Sequence, residues 1–435
     1  MAVTSLEGAG RFADALRSGA VRMSHSIDAS PRLPQLAATL LVASVALLSA
    51  CTTPPARPPT PASQPAPVPA PAPAPVVTAK PLLVPTNWAS LPGWSSDPLT
   101  DAWPAFIASC EALARKPEWA AACAAAKAID GNDPVAIRHF FESRFVPNRV
   151  TTTEGNDTGL VTGYYEPLLR GSRVPIAPYL TPVYGVPDDL LVVDLTSLYP
   201  ELAGKRLRGK VVGRTVVPYP SRGDLASSGA LRGKELLWVD DPIEAFFLEI
   251  QGSGRVELNR GGRGSSKDAQ TVRLAYADQN GQPYQSIGRW LVDRNELTLA
   301  QASMQSIKAW AVAHPARLAE LLAANPSKVF FKEEPIVDPT RGPKGALGVS
   351  LTPQRSIAVD PRVVPLGSPV FLATTQPLSD TPLQRLVMAQ DTGGAIAAAP
   401  NGAVRADYFW GFGAGAGNQA GRMKQDGRMW VLVPR

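Results

Sequence analysis

From Val150 onward the chain never stays apolar for long. Stretches such as GLVTGYYEPLL, LLVVDL, KVVGRTVVPY, ELLWVDDPIEAFFLEIQGSGRVEL and TVRLAYADQNGQPYQSIG are cut again and again by Gly, Pro, Asn and Asp. Short apolar runs bounded by turn formers read as strands, and their spacing predicts a β-barrel or sandwich in place of βαβ units. Two segments depart from that texture. Leu99 to Phe145 reads as helical, with Asn132, Asp133 and Pro134 as a helix start and Ile137, Phe140 and Phe141 as its apolar face. Thr298 to Ala324 reads as a helical interlude, with Met304, Ile307, Trp310 and Ala311 on one face and Pro315 opening a second helix. The last third returns to strands in SIAVDPRVVPLGSPVFL, LQRLVMAQDTGGAI and RMWVLVP. No solenoid repeat is visible, so the expectation is a pair of β-dominated domains carrying helical excursions.

The first part of the chain stands outside that fold. Leu33 to Ala50 is an apolar run with Arg32 ahead of it, and it ends Leu48, Ser49, Ala50, Cys51. A leucine three before a cysteine, then two small residues, is the arrangement of a bacterial lipoprotein signal, which makes Cys51 the expected lipidation site. The competing reading is an ordinary transmembrane anchor, for which the run is marginally short. Either way residues 1–50 are a leader, and Met23 is an alternative start. Residues 51–78 hold the cysteine and the Pro/Ala tract Thr52 to Val77, which favours extended polyproline and acts as a tether. Residue 52 is Thr and not Asp, which points to an outer-membrane lipoprotein facing the periplasm. Cys110 and Cys123 lie in an Ala-rich helical pattern broken at Lys116-Pro117. An oxidising compartment would close them into a disulfide; two small buried core residues are the alternative.

With 45% hydrophobic and 18% charged residues the remainder suffices for two ordinary domains. The net charge of +6 is scattered and forms no long basic run, so an anionic polymer such as cell wall fits better than nucleic acid. Three histidines, His25, His139 and His314, stand without neighbouring ligands, which argues against a zinc hydrolase or a Ser-His-Asp triad. There is no P-loop, and GFGAGAG (Gly411 to Gly417) has alternating glycines but does not open a helix after a strand within a βαβ unit, so no dinucleotide site or other cofactor is expected. Carboxylates remain. Asp360, Asp391 and Asp407 lie at the edges of strand-like runs, where a barrel mouth displays side chains. Asp360, followed by Pro361, is equally a turn former. Asp391 closes a buried-looking run and needs backbone donors such as those of TGGA. Asp407 precedes Tyr408, Phe409 and Trp410, and apolar surroundings raise a carboxyl pKa, the property of a general acid. Its alternative is a structural Asp paired with Arg405 or Arg422. TGYYEP (Thr162 to Pro167) and EIQGSG (Glu249 to Gly254) offer aromatics and amides that suit sugars, with Glu166 and Glu249 as candidates for a second carboxylate. Tyr164 and Tyr165 serve equally well as core residues.

TGYYEP, LEIQGSGRV, AYADQNGQPYQSIGR, SMQSIKAW, NPSKVFF and the three-aspartate tail, in order from about Leu160 to Leu432, resemble the membrane-bound lytic murein transglycosylase A family and its three-aspartate (3D) domain. The resemblance implies a mainly β fold: a double-psi β-barrel domain from residues 79–166 and 337–435, uniting the N-terminal helical region with the C-terminal third, and an inserted second β-barrel domain over residues 167–336. It implies a glycan in the groove between them, with Asp407 as catalytic acid, Asp391 and Asp360 in support, and Thr162, Tyr164, Gln251, Gly252 and Ser253 facing the substrate. The implied reaction cleaves the β-1,4 bond from N-acetylmuramic acid to N-acetylglucosamine and leaves a 1,6-anhydromuramyl end, without metal or cofactor. Peptidoglycan strands, a membrane lipid anchor and wall-synthesis complexes are the expected partners, and the chain is expected to be a monomer. Two rivals remain: a hydrolase pairing Asp407 with Glu249 or Asp391, and a non-catalytic wall-binding lipoprotein.

Overall fold

The computed structural model describes residues 82–202, 205, 207–259, 270–393, 396 and 404–435. The leader, Cys51 and the tether fall outside these residues. In chain order the strands are β1 (Leu82–Pro85), β2 (Phe145–Thr151), β3 (Gly159–Glu166), β4 (Leu168–Ser172), β5 (Thr181–Tyr184), β6 (Leu191–Val192), β7 (Arg208–Val212), β8 (Thr215–Pro218) and β9 (Glu235–Val239). There follow β10 (Ser253–Asn259), β11 (Gln270–Gln279), β12 (Val329–Glu334), β13 (Ser356–Val359), β14 (Pro369–Thr375), β15 (Pro382–Asp391), β16 (Arg405–Phe412) and β17 (Lys424–Pro434). One eight-stranded sheet runs β1-β2-β17-β14-β15-β13-β16-β3, and a further pairing of β17 with β3 joins its members into a ring. A six-stranded sheet, β12-β11-β10-β4-β9-β5, and a three-stranded one, β6-β7-β8, are built entirely from the middle of the chain.

Strand alternation divides the ring's side chains between two cores. Val370, Leu372, Val387, Ala389, Met429 and Val431 meet Val161, Ile357 and Tyr408 in one cluster. Their neighbours Phe371, Leu386, Met388, Trp430 and Leu432 face the other way, onto Trp94, Phe106, Phe140 and Phe141 of the helical N-terminal region. That region forms as its sequence suggests. Asp133 accepts from the backbone of Val135 and Ala136, Pro134 follows it, and Ile137, Phe140 and Phe141 are buried. Cys110 and Cys123 join the helices Trp103–Leu113 and Pro117–Ala126 in a disulfide, with Cα atoms 5.4 Å apart. Arg355, itself buried, donates to Asp97 at 2.9 and 3.0 Å and pins the segment before these helices to the sheet.

The middle of the chain holds more helix than its texture suggests. ELLWVDDPIEAFFLEIQGSGRVEL reads as strand throughout, yet it contains the helix Pro242–Gln251 between β9 and β10. Asp241 caps that helix, Pro242 occupies its first turn, and Ile243, Phe246 and Phe247 enter the core. The local signals were present; the long apolar run hid the change of period. GFGAGAG leads into the helix Gly413–Ala420 directly after β16, but β16 and β17 on either side of it are not neighbours in the sheet, so no βαβ unit forms. Glycine disfavours helix on its own, but a side chain at Gly417 would collide with the Tyr165 ring at 2.7 Å, so close packing rather than propensity selects the residue there. Among the described residues no helix is long and apolar enough to cross a membrane.

Candidate active site

Four adjacent strands of the ring line up a row of side chains. Asp407 on β16 is in register with Thr162 on β3 and with Ala358 on β13. Ala358 is in turn in register with Asp391 at the end of β15, where the pairing shifts by a bulge. Registered neighbours point to one face of a sheet, so the order across it is Thr162, Asp407, Ala358, Asp391. The alanine methyl between the two aspartates leaves space above it. Two residues along the same strands, Phe409 is in register with Tyr164, and their rings lie 5.1 Å apart. Gly163, between Thr162 and Tyr164, must be small because a side chain there would meet Trp410 at 2.7 Å on the opposite face.

The two carboxylates differ sharply in surroundings. Asp391 Oδ1 accepts backbone N–H groups from Ala346 at 3.0 Å and Thr392 at 2.9 Å, and its Oδ2 accepts the Tyr164 hydroxyl at 3.2 Å. Such a set of donors suits a carboxylate. Burial, reinforced by the Asp391 charge, raises the Tyr164 phenol well above its usual pKa, so it remains a donor. Asp407 keeps a minor part of its surface open, but its Oδ1 is sealed and has no hydrogen-bond partner. Burial pushes its pKa up to about 6; Arg405 opposes the rise and the Asp391 charge adds to it. Environments that drive two neighbouring carboxyls apart mark one as the proton donor.

Three of the seven unpartnered buried side-chain atoms among the described residues sit together here: Asp407 Oδ1, Thr162 Oγ1 and Arg405 Nε. Buried polar atoms are ordinarily satisfied, and their convergence marks a place where a ligand supplies the partners. Arg405 lies two residues before Asp407 on β16 and so shares its face. Tyr284, from the segment between β11 and the helix Ile287–Asp293, is 45% exposed and lies close enough for the Arg405 charge to act on its phenol. Neither Arg405 nor Tyr284 stands out as a site residue in sequence, although the aromatic beside the Asn280-Gly281 turn is a recognisable loop signal.

The other expected residues are distributed around this row. Asp360 follows the last residue of β13 and is buried, but its carboxylate is occupied by Arg362, whose Nη2 donates at 2.5 Å. Burial raises its pKa, and the hydrogen bonds and charge of Arg362 outweigh that and leave it below the usual value. Gln251 ends the helix Pro242–Gln251 and its Oε1 accepts the Tyr165 N–H at 3.0 Å, tying that helix to β3. Gly252 caps the helix at φ 77°, and Ser253 is buried at the start of β10. The two glutamates considered as second carboxylates are both committed elsewhere. Glu166 receives Arg255 at 2.8 Å and Arg273 at 2.6 Å. Glu249 receives Arg222 at 2.8 Å and Lys328 at 2.6 Å. Burial pushes the Glu249 carboxyl up, but the two cations prevail and hold it below its usual pKa. A recess of about 590 Å³ lies around Tyr165, Met304 and Gly417, on the opposite face of β3 from Thr162 and Tyr164. Among the described residues no group of three or more His, Cys, Asp or Glu is arranged to hold a metal ion.

A β-rich scaffold that seats one proton-holding aspartate beside one hydrogen-bonded aspartate defines the class: a protein with a carboxylic-acid site displayed on a strand ring. The MltA specific insert domain matches residues 160–332, and the 3D domain matches residues 355–433. A lytic transglycosylase, LtgG, of Burkholderia pseudomallei is 50% identical, with 83% of this chain and 98% of that chain covered and a TM-score of 0.54. MltA from Neisseria gonorrhoeae is 37% identical, with 82% and 93% covered and a TM-score of 0.69. Membrane-bound lytic murein transglycosylase A of Vibrio cholerae is 31% identical over 282 residues, which is 63% of this chain and 65% of that relative's length. The chain belongs to the membrane-bound lytic murein transglycosylase A family.

Proposed function

We propose that the protein is a lytic transglycosylase that cleaves the β-1,4 bond between N-acetylmuramic acid and N-acetylglucosamine in peptidoglycan and leaves 1,6-anhydromuramyl ends. The observation that carries this reading is Asp407: a carboxyl held near pKa 6, partly exposed, with one sealed and unpartnered oxygen, in register with Thr162 on β3. Protonated Asp407 gives its proton to the glycosidic oxygen as the bond to C1 breaks. The resulting carboxylate then takes the proton of the C6 hydroxyl as that oxygen attacks C1 of the same sugar. No water is consumed, and the acid is regenerated. A hydrolytic glycosidase needs a second carboxylate to activate water or to form a covalent intermediate. Glu166 and Glu249 are locked in ion pairs, and Asp391 is engaged by two amides and a phenol. The intramolecular nucleophile makes a single acid sufficient, and its proximity speeds the attack.

In this reading Asp391 and Asp360 are supporting residues, with Asp391 fixing Tyr164 and raising the Asp407 pKa through its charge. Thr162, Tyr164, Gln251, Gly252 and Ser253 belong to the glycan-facing segments. The ring of strands is a double-psi β-barrel formed by residues 79–166 and 337–435, and residues 167–336 form the inserted β domain. The names of the relatives support the activity, and membrane attachment follows from lipidation at Cys51, which places the protein as an outer-membrane lipoprotein facing the periplasm. Mass spectrometry of murein digested by residues 76–435, alongside Asp407→Asn, tests the proposal. Anhydromuropeptides from the unmodified chain alone are expected; reducing muramic ends would make it a hydrolase, and no cleavage by either would leave a wall-binding protein.

A further inference from the structure

The β7–β8 hairpin exposes apolar side chains on both faces. Val211 (59% exposed) and Val216 (53% exposed) are register partners on one face, and Val212 (55% exposed) pairs with Thr215 on the other. Gly213, at φ 62°, and Arg214 make the turn between the strands. On the neighbouring β6, Val192 is also exposed. Grouped exposed apolar residues on a soluble surface mark a contact, and a thin ribbon apolar on both faces is matched by a medium that surrounds it better than by a flat protein surface.

Charge identifies that medium. From Leu202 to Arg222 the chain carries Lys205, Arg206, Arg208, Lys210, Arg214 and Arg222, and no Asp or Glu. Arg208 is bound to Asp278 and Arg222 to Glu249 within the fold. Lys205, Lys210 and Arg214 enter no ion pair among the described residues, and Arg214 stands at the turn itself. Valines flanked by uncommitted cations are the composition of an interfacial segment, apolar tip toward the acyl boundary and cations on lipid phosphates. The sequence also supplies a reason for proximity. On the lipoprotein reading Cys51 is lipidated, and the chain runs from it through the Pro/Ala tract to Leu82, so the folded part belongs near the membrane that holds the anchor.

We infer that the β7–β8 hairpin is a second membrane contact, in which Val211, Val212 and Val216 enter the interfacial layer of an anionic bilayer and Lys205, Lys210 and Arg214 lie against its headgroup phosphates. The inference rests on the lipoprotein reading only for nearness to a membrane. Two attachments, one covalent and one through the hairpin, restrict the rotation that a tether alone permits.

Residues 76–435, which include every described residue and lie within one compact unit spanning 73–435, carry an N-terminal histidine tag that binds vesicles containing nickel-chelating lipid. The vesicles are phosphatidylethanolamine with phosphatidylglycerol, and Val212→Cys bears an environment-sensitive fluorophore. The expected result is a blue shift and quenching by nitroxide-labelled acyl chains, absent for a label at Val337, which is 90% exposed. Replacing phosphatidylglycerol by phosphatidylcholine, or introducing Lys210→Glu with Arg214→Glu, is expected to reduce the quenching severalfold. A label at residue 212 that emits as in solution overturns the inference, as does quenching unchanged by the charge reversals. The tag replaces Cys51, so the outcome is independent of lipidation, and murein cleavage by the same protein reports separately on the enzymatic reading.

Discussion

Asp407 owes its proposed role to its surroundings: burial and the Asp391 charge raise its pKa, and Arg405 opposes the rise. Asp407→Asn keeps the shape but cannot donate the proton, so cleavage is expected to fall by roughly 10²- to 10⁴-fold, read as the rate of anhydromuropeptide release. The same substitution should make the fold more stable at neutral pH. A carboxyl whose folded pKa is raised from 3.8 to about 6 leaves stability undiminished below 3.8, weakens it as pH climbs toward 6, and keeps the loss above that. Thermal unfolding at pH 7.5 should therefore favour Asp407→Asn by at most about 3 kcal/mol, and the advantage should vanish near pH 3.5. Arg405 holds the Asp407 pKa down, so Arg405→Gln should move the alkaline limb of the kcat/KM profile to higher pH, with Arg405→Lys restoring it. An unmoved limb would show that the guanidinium does not act on the acid. At this scale the apolar setting of Asp407 was legible because its aromatic followers advertise it, and Arg405 was visible as a possible partner though not as a site residue; Tyr284 was not, since one loop tyrosine looks alike at any surface position.

The strands matter as elements because register, and not sequence spacing, sets which side chains meet. Thr162 and Asp407 are neighbours through parallel β3–β16 pairing, and Ala358 separates Asp407 from Asp391 through β13. Tyr164→Phe deletes the hydroxyl that reaches Asp391, with an expected loss of about 1 kcal/mol of stability and lower activity at unchanged fold, checked by paired denaturation and turnover assays. Gly163→Leu is expected to abolish folding, since no room exists under Trp410; soluble yield and circular dichroism would show it. Short strands with turn punctuation were readable one by one. The helices Pro242–Gln251 and Gly413–Ala420 were not, the first because a continuous apolar stretch masks its period, the second because glycine disfavours helix and the tertiary contact of Gly417 with Tyr165 carries no local mark.

Across the whole molecule, the chain leaves the ring after β3 and returns before β13, and Glu166 clasps both crossings. Arg255 and Arg273 grip its carboxylate, and they also donate to the backbone oxygens of Pro339 (2.8 Å, from Arg255) and Arg341 (2.8 Å, from Arg273). Glu166→Gln strands the buried Arg273 and the partly buried Arg255 and is expected to destabilise the protein by about 3 kcal/mol, measured as a fall in denaturant midpoint. The sequence by itself determined the β character, the helical N-terminal region and a short set of candidate aspartates, because periodicity, turn residues and composition are local properties. The tertiary structure alone decided that Glu166 and Glu249 are buried in ion pairs, that Asp360 is spent on Arg362, and that Thr162, Arg405 and Asp407 converge with unpartnered atoms. Those outcomes depend on strand register and on which charges lie within a few ångströms after the chain has folded, and residues as far apart in sequence as Tyr164 and Asp391 carry no local mark of their meeting.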